Sequence, residues 1–362
     1  MSSQRTGLSL TRKTTLTVIV LSLVSIFAEL GLRAASIVTK RVRIFQRHPV
    51  TGHACRSSLV NVEKRWDAQN TFHYSTDANG FRITAPPEAE RAEPPILLVG
   101  DSFAFGWCVD DRDSLGYLLA DLTRRRVLNL SCIGYGPDVS LALLRWHFEQ
   151  PDTQTGGAAV LLLCENDFMD ILARRKSNRA KPFCTLTDDD FQTRAPELSW
   201  VDQALDSSAL AYTLLTRLLP PEQRTDVPVS DSPRLMCRIL SEIRTLCERN
   251  DTELDILFFT LLEGSTLRPG IKNAFFEQCG RENIEVTDIT GEIAGSARQG
   301  RELLAVDGLH WNRRGNQRVA AIISRGLNPE PSANEGLFVQ DHRQRGDTEH
   351  DGILAHVSSA PR

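Results

Sequence analysis

The chain has 362 residues, a formal net charge of −4, 41% hydrophobic and 24% charged residues. That balance is ordinary for a globular protein and lacks the basic excess of nucleic-acid-binding surfaces, so no nucleic-acid partner is expected. Its eight cysteines include no Cys-x-x-Cys pair and no His-Cys cluster, which argues against a zinc site, and no motif asks for another cofactor.

Residues 1–13 are a polar N-terminal stub with Arg5, Arg12 and Lys13. Thr14 to Ala28 carries no charge, and the apolar character extends to Val38 if Glu29 and Arg33, four apart on one helical face, pair with each other. Residues 14–38 are therefore expected to be a retained transmembrane signal anchor. A cleaved signal peptide is the main rival and a buried core helix the lesser one; no small-x-small cleavage site directly follows the apolar run. The flanking charges, with Arg33, Lys40, Arg41, Arg43 and Arg47 downstream, would by themselves leave the main domain cytoplasmic.

Residues 39–94 are expected to be a linker with short β segments, since Asn79-Gly80 marks a turn and Pro86-Pro87 and Pro94-Pro95 bracket charged residues. From residue 95 to 327 apolar strands alternate with helical patterns. Strands are expected at Ile96–Val99, Val127–Leu130, Ala158–Leu163, Leu254–Leu262 and Ile284–Asp288. Helices are expected at Ser114–Leu122, Pro137–Phe148, Val201–Leu219, Arg234–Arg249, Lys272–Gly280 and Arg313–Ser324. This alternation implies an α/β fold with a parallel sheet covered on both faces. Residues 175–201 read as a polar insertion, and 328–362, without periodicity, as a disordered tail. The cysteines read as buried thiols, or as disulfides of unreadable connectivity if the domain is exported.

Acyl transfer needs a nucleophile, a base, a group that orients the base, and donors for an oxyanion. Ser102 follows the first strand, His310 stands at the start of the last helix, and Asp307 lies three residues before that histidine. Ser102, Gly134 and Asn166 follow the first three strands, so that backbone N–H groups and one side-chain amide can converge on one oxygen. Asp101 and Asp167 read as turn or cap carboxylates, and His147 as structural. Trp107, Tyr135 and Trp311 flank the site and fit either a pocket lining or simple packing.

Four blocks together carry a family resemblance. Gly100-Asp101-Ser102-Phe103, the run from Asn129 to Gly134, Cys164-Glu165-Asn166-Asp167, and Asp307-Gly308-Leu309-His310 with Gly315 and Asn316 resemble the SGNH hydrolases, the GDSL-like lipase/esterase superfamily. Phe103 replaces the leucine of the first block, and Cys164 the glycine of the third. The resemblance covers roughly residues 75–326 and implies a flavodoxin-like three-layer sandwich with a five-stranded parallel sheet of order 2-1-3-4-5. It also implies Ser102, Asp307 and His310 as catalytic residues, and Ser102, Gly134 and Asn166 as the oxyanion hole. The implied activity is a membrane-anchored serine esterase acting on a small-molecule, lipid or glycan ester, without metal or cofactor. Family members are often envelope proteins, which implies an extracytoplasmic domain, periplasmic or at the cell surface. Two alternatives stay open: an O-acyltransferase using the same residues on an envelope polysaccharide, and a catalytically silent binding or scaffold protein.

Overall fold

The computed structural model describes residues 10–38, 44–67, 69–84, 94–151, 153–176, 178–187, 190–220, 222–262, 267–295 and 301–327. The expected disordered tail, most of the polar stub and the Pro86-Pro87 segment lie outside the described residues.

Helix α1 (Leu10–Val38) contains a stretch, Arg12–Ala35, that is long and apolar enough to cross a membrane by length and composition, with none of it buried. Two antiparallel hairpins follow, β1 (Phe45–His48) with β2 (Gly52–Cys55) and β3 (Val62–Arg65) with β4 (Thr71–Tyr74). This corrects the linker expected over 39–94: Ile44, Cys55, Phe72 and Tyr74 are buried in the same apolar core as the central sheet. Arg82 is buried as well, its guanidinium bonded to Asp111 and to the carbonyls of Phe105, Gly106 and Val109. A segment that fills a core and satisfies buried carbonyls does the work of a domain, not of a tether.

The central sheet is parallel throughout. It comprises β5 (Ile96–Val99), β6 (Val127–Asn129), β7 (Gly157–Cys164), β13 (Thr252–Phe259) and β14 (Thr287–Asp288), in the spatial order β14-β13-β7-β5-β6. Counted by first appearance that order is 2-1-3-4-5, as the resemblance implies. The apolar strand ILLV is fully buried because alternate residues enter opposite layers: Leu97 and Val99 face one core, Ile96 and Leu98 the other. The first core is closed by α4 (Pro137–Phe148), α8 (Ser232–Arg249) and α9 (Pro269–Arg281), the second by α3 (Leu115–Thr123), α10 (Thr290–Ala294) and α11 (Arg313–Leu327), completing three layers.

Elsewhere the elements depart from expectation in instructive ways. The fifth strand shrinks to Thr287–Asp288, with Ile284 turned into the core ahead of it. The single helix expected over 201–219 is two, α6 (Trp200–Ser207) and α7 (Ala209–Leu218), because Ser208 leaves the helical conformation and caps α7 through its hydroxyl. The polar insertion carries β8 (Ala173–Lys176), β9 (Arg179–Ala180), β10 (Phe183–Leu186) and β11 (Phe191–Arg194), and β12 (Gln223–Arg224) pairs with β8. Several of its charges are paired: Arg175 with Asp202, and the fully buried Lys181 with Asp138.

Candidate active site

At the end of β5 the chain must turn sharply under β7. Gly100 does so at φ +152°, where an added Cβ would sit 2.9 Å from the Leu162 carbonyl oxygen and 3.0 Å from the Ala104 Cβ. Asp101 follows as a cap, its Oδ1 accepting from the Phe103 N–H at 2.9 Å, which starts the short helix α2 (Ser102–Phe105) with the serine at its first position. At the other end of the domain, Asn312 Oδ1 accepts from the Gly315 N–H at 3.1 Å at the mouth of α11, just beyond His310.

These two turns meet. Asp307 Oδ1 accepts from the N–H groups of Leu309 and His310, both at 3.0 Å, and this tight local turn leaves Oδ2 for the imidazole. His310 Nδ1 donates to Oδ2 at 2.5 Å, so Nε2 is the lone-pair nitrogen, and the Ser102 hydroxyl donates to it at 2.7 Å. The imidazole lies against Phe103, ring centroids 4.7 Å apart, and Trp311 packs on Phe103 and Phe259. Burial pushes the Asp307 carboxyl up, but hydrogen bonds from the His310 imidazole and two backbone N–H groups outweigh it and hold it well below the usual carboxylate range.

The structure thus joins Ser102, His310 and Asp307 in one hydrogen-bonded line. Cys108, which carries no motif in the sequence, joins this line: its thiol donates to Asp307 Oδ2 at 3.4 Å. Burial and the neighbouring Asp307 carboxylate push that thiol upward, so it stays protonated as a donor. Cys108, Asp307 and His310 bring ligand-type atoms within 4.8 Å of one another, but Oδ2 already accepts from both partners, the arrangement of a proton network.

Of the expected oxyanion donors, Gly134 takes φ +80°. It lines a cavity of about 100 Å³ together with His53, Lys176, Arg179, Tyr212 and Thr216. Asn166 stands at the start of α5 (Asp167–Asp170). One N–H of its amide donates to Asp170 Oδ2 at 3.0 Å, and Asp170 is held in turn by Lys176. The carboxylate can only accept from that amide, so it fixes which way Asn166 faces and leaves the second N–H for another acceptor. Asp170 and Lys176 carry no sequence signal, since nothing local distinguishes them from solvated charges. Replacing Asp170 by alanine removes the acceptor that orients this amide; with Asn166 as the expected oxyanion donor, steady-state ester hydrolysis is expected to lose about tenfold or more in kcat at little change in KM.

The Cys164 departure does not disturb this loop. Its side chain is buried in the second core, and its N–H donates to Asp167 Oδ2 at 2.8 Å, which gives Asp167 the structural role expected of it. Tyr135 and Trp311 are packing residues: both are buried, and the Tyr135 hydroxyl donates to the His53 carbonyl at 2.8 Å. Trp107 is half-buried against Phe72.

Asp101 is buried beside this cluster, and burial lifts its carboxyl to about 6, against the opposing pull of the Phe103 N–H and the nearby His310 and Lys176. A folded-state value above the unfolded one means that the folded protein holds a proton the unfolded chain has lost between roughly pH 4 and 6, so this contribution to stability is present below pH 4 and disappears as pH rises through 6. Asp101→Asn keeps a capping oxygen and loses the titration. Urea unfolding at pH 4 and pH 7 is expected to show the variant gaining about 2–3 kcal/mol on the wild type between the two.

No family model and no curated protein matches the chain. Among solved structures, TesA is 14% identical with a TM-score of 0.40, covering 65% of this chain and 98% of its own. A psychrotrophic esterase, EstA from Pseudoalteromonas sp., crystallised as inhibited by monoethylphosphonate, is 12% identical with a TM-score of 0.36 (65% of this chain, 97% of that one). A member of the lipolytic protein G-D-S-L family from Veillonella parvula is 11% identical with a TM-score of 0.37 (63% and 95%). At these scores they are what the chain is similar to, and they say nothing of what it acts on.

Proposed function

We propose that the chain is a membrane-anchored serine ester hydrolase working through an acyl-serine intermediate. The observation that carries this reading is the line Ser102 Oγ–His310 Nε2–Asp307, with hydrogen bonds of 2.7 and 2.5 Å. His310 takes the Ser102 proton as Oγ attacks the ester carbonyl carbon, and returns it to the alkoxide that leaves. Asp307, charged and buried, holds the imidazole in the Nδ1–H tautomer and stabilises the imidazolium that forms. The backbone N–H groups of Ser102 and Gly134 and the free N–H of Asn166 are the donors for the oxyanion. Water, activated by the same histidine, then releases the acid.

In this reading residues 95–327, with the two hairpins before them, form the catalytic domain, and α1 anchors it on the extracytoplasmic side. The test is hydrolysis of p-nitrophenyl esters of graded acyl length by the full chain in detergent. Turnover that disappears in Ser102→Ala supports the proposal; equal rates in both proteins contradict it.

A further inference from the structure

Glu29 and Arg33 are the only charges between Thr14 and Val38, and they do more than pair with each other. Glu29 Oε2 accepts from the Ser208 hydroxyl and the Leu210 N–H, both at 2.8 Å, and Oε1 from the Ala209 N–H at 3.0 Å. Arg33 donates to the Ser207 carbonyl at 2.7 Å and to Glu29 at 2.6 Å. A carboxylate on α1 thus satisfies the open N–H groups of the first turn of α7, and the two helices form one built junction.

We propose that α7 lies in the headgroup region of the same phospholipid bilayer that α1 crosses, with Leu210, Leu214 and Leu218 turned to the acyl boundary. The inference rests on the membrane reading of α1 given above. Three further observations support it. Glu29 lies seventeen residues beyond Arg12, where the apolar stretch begins, about 26 Å of helix rise against a hydrocarbon thickness of about 30 Å, so α7 begins near the far interface and not in bulk water. Only Ala209 of α7 is buried. Leu214 is 49% and Leu218 76% exposed, and with Leu210 they recur every fourth residue along one face. On the preceding helix Trp200 is 71% exposed, a ring suited to the interface. The apolar surface of α7 is thereby continuous with that of the helix that caps it, and lipid is the partner that covers both. Because Tyr212 and Thr216 of α7 line the cavity beside Gly134, the bilayer would hold one wall of that cavity.

Leu218→Trp adds a reporter at an exposed position. The full chain carrying it is reconstituted into phosphatidylcholine vesicles, with and without bromine on the upper acyl carbons, and the added emission is read by difference from wild type. The added tryptophan is expected to lose at least half its emission to brominated lipid and to be shielded from iodide in the water. Quenching by iodide and not by brominated lipid, in protein that co-floats with the vesicles after a carbonate wash, overturns the placement of α7 and leaves the anchor intact. Protein that fails to co-float overturns the anchor and this inference together.

Discussion

His310→Ala is expected to lower kcat for ester hydrolysis by about 10⁴- to 10⁶-fold while the protein still folds. Without the imidazole nothing takes the proton of Ser102, whose hydroxyl has the 2.7 Å bond to Nε2 as its one hydrogen bond among the described residues. Asp307→Asn is expected to cost about 10⁴-fold, because an amide facing Nδ1 favours the tautomer with the proton on Nε2. In the proposed mechanism the three side chains act as a unit, so Ser102→Ala combined with His310→Ala should be no slower than either alone, which steady-state rates on the three proteins would decide. Asp307 stays ionised well below the usual carboxylate range, so its own protonation contributes no acid limb to the rate above about pH 4.

The second large effect is on stability. Lys181 and Asp138 form an ion pair with neither side chain exposed. The ammonium also donates to the carbonyls of Ala173 at 3.0 Å and Pro182 at 3.1 Å, and Asp138 Oδ1 accepts from the Val139 N–H at 2.9 Å. Burial already pushes the Asp138 carboxyl up, and Lys181 is what opposes it. Lys181→Met leaves a buried charge and two buried carbonyls without their donor, at a cost of about 3–5 kcal/mol. In calorimetry that amounts to a fall in Tm of about 5–10 °C. Replacing both partners, Lys181→Met with Asp138→Leu, is expected to recover much of the loss, since the desolvation of two charges disappears along with their attraction. A single variant as stable as wild type would mean that the pair is solvated.

How far the sequence could be read depended on the range of the interactions involved. Ile96–Val99 and Ala158–Leu163 announce buried parallel strands by apolar runs alone, and Pro137 marks the first residue of α4. Asp307 and His310 are legible because three residues separate them and the turn that joins them is local. What was missed depends on partners far along the chain. Glu29 caps a helix 180 residues away, so the break at Ser208 could not be placed. Lys181 meets Asp138 across 43 residues, so the polar composition of 175–201 gives no sign that one of its lysines is fully buried. Arg82 carries no local signal, although its guanidinium gathers the carbonyls behind the Ser102 helix. Likewise Asp170 acts on Asn166 through a contact that gains meaning only when Lys176 closes over it.

Ser102 as an activated nucleophile is expected to react covalently with an electrophilic phosphorus probe. Full-length protein treated with a fluorophosphonate probe, digested and sequenced by mass spectrometry, should carry one adduct, on Ser102. Labelling should be absent in Ser102→Ala and slowed by at least a thousandfold in His310→Ala. An unlabelled wild type, or an adduct that persists in Ser102→Ala, would mean that Ser102 is not the nucleophile.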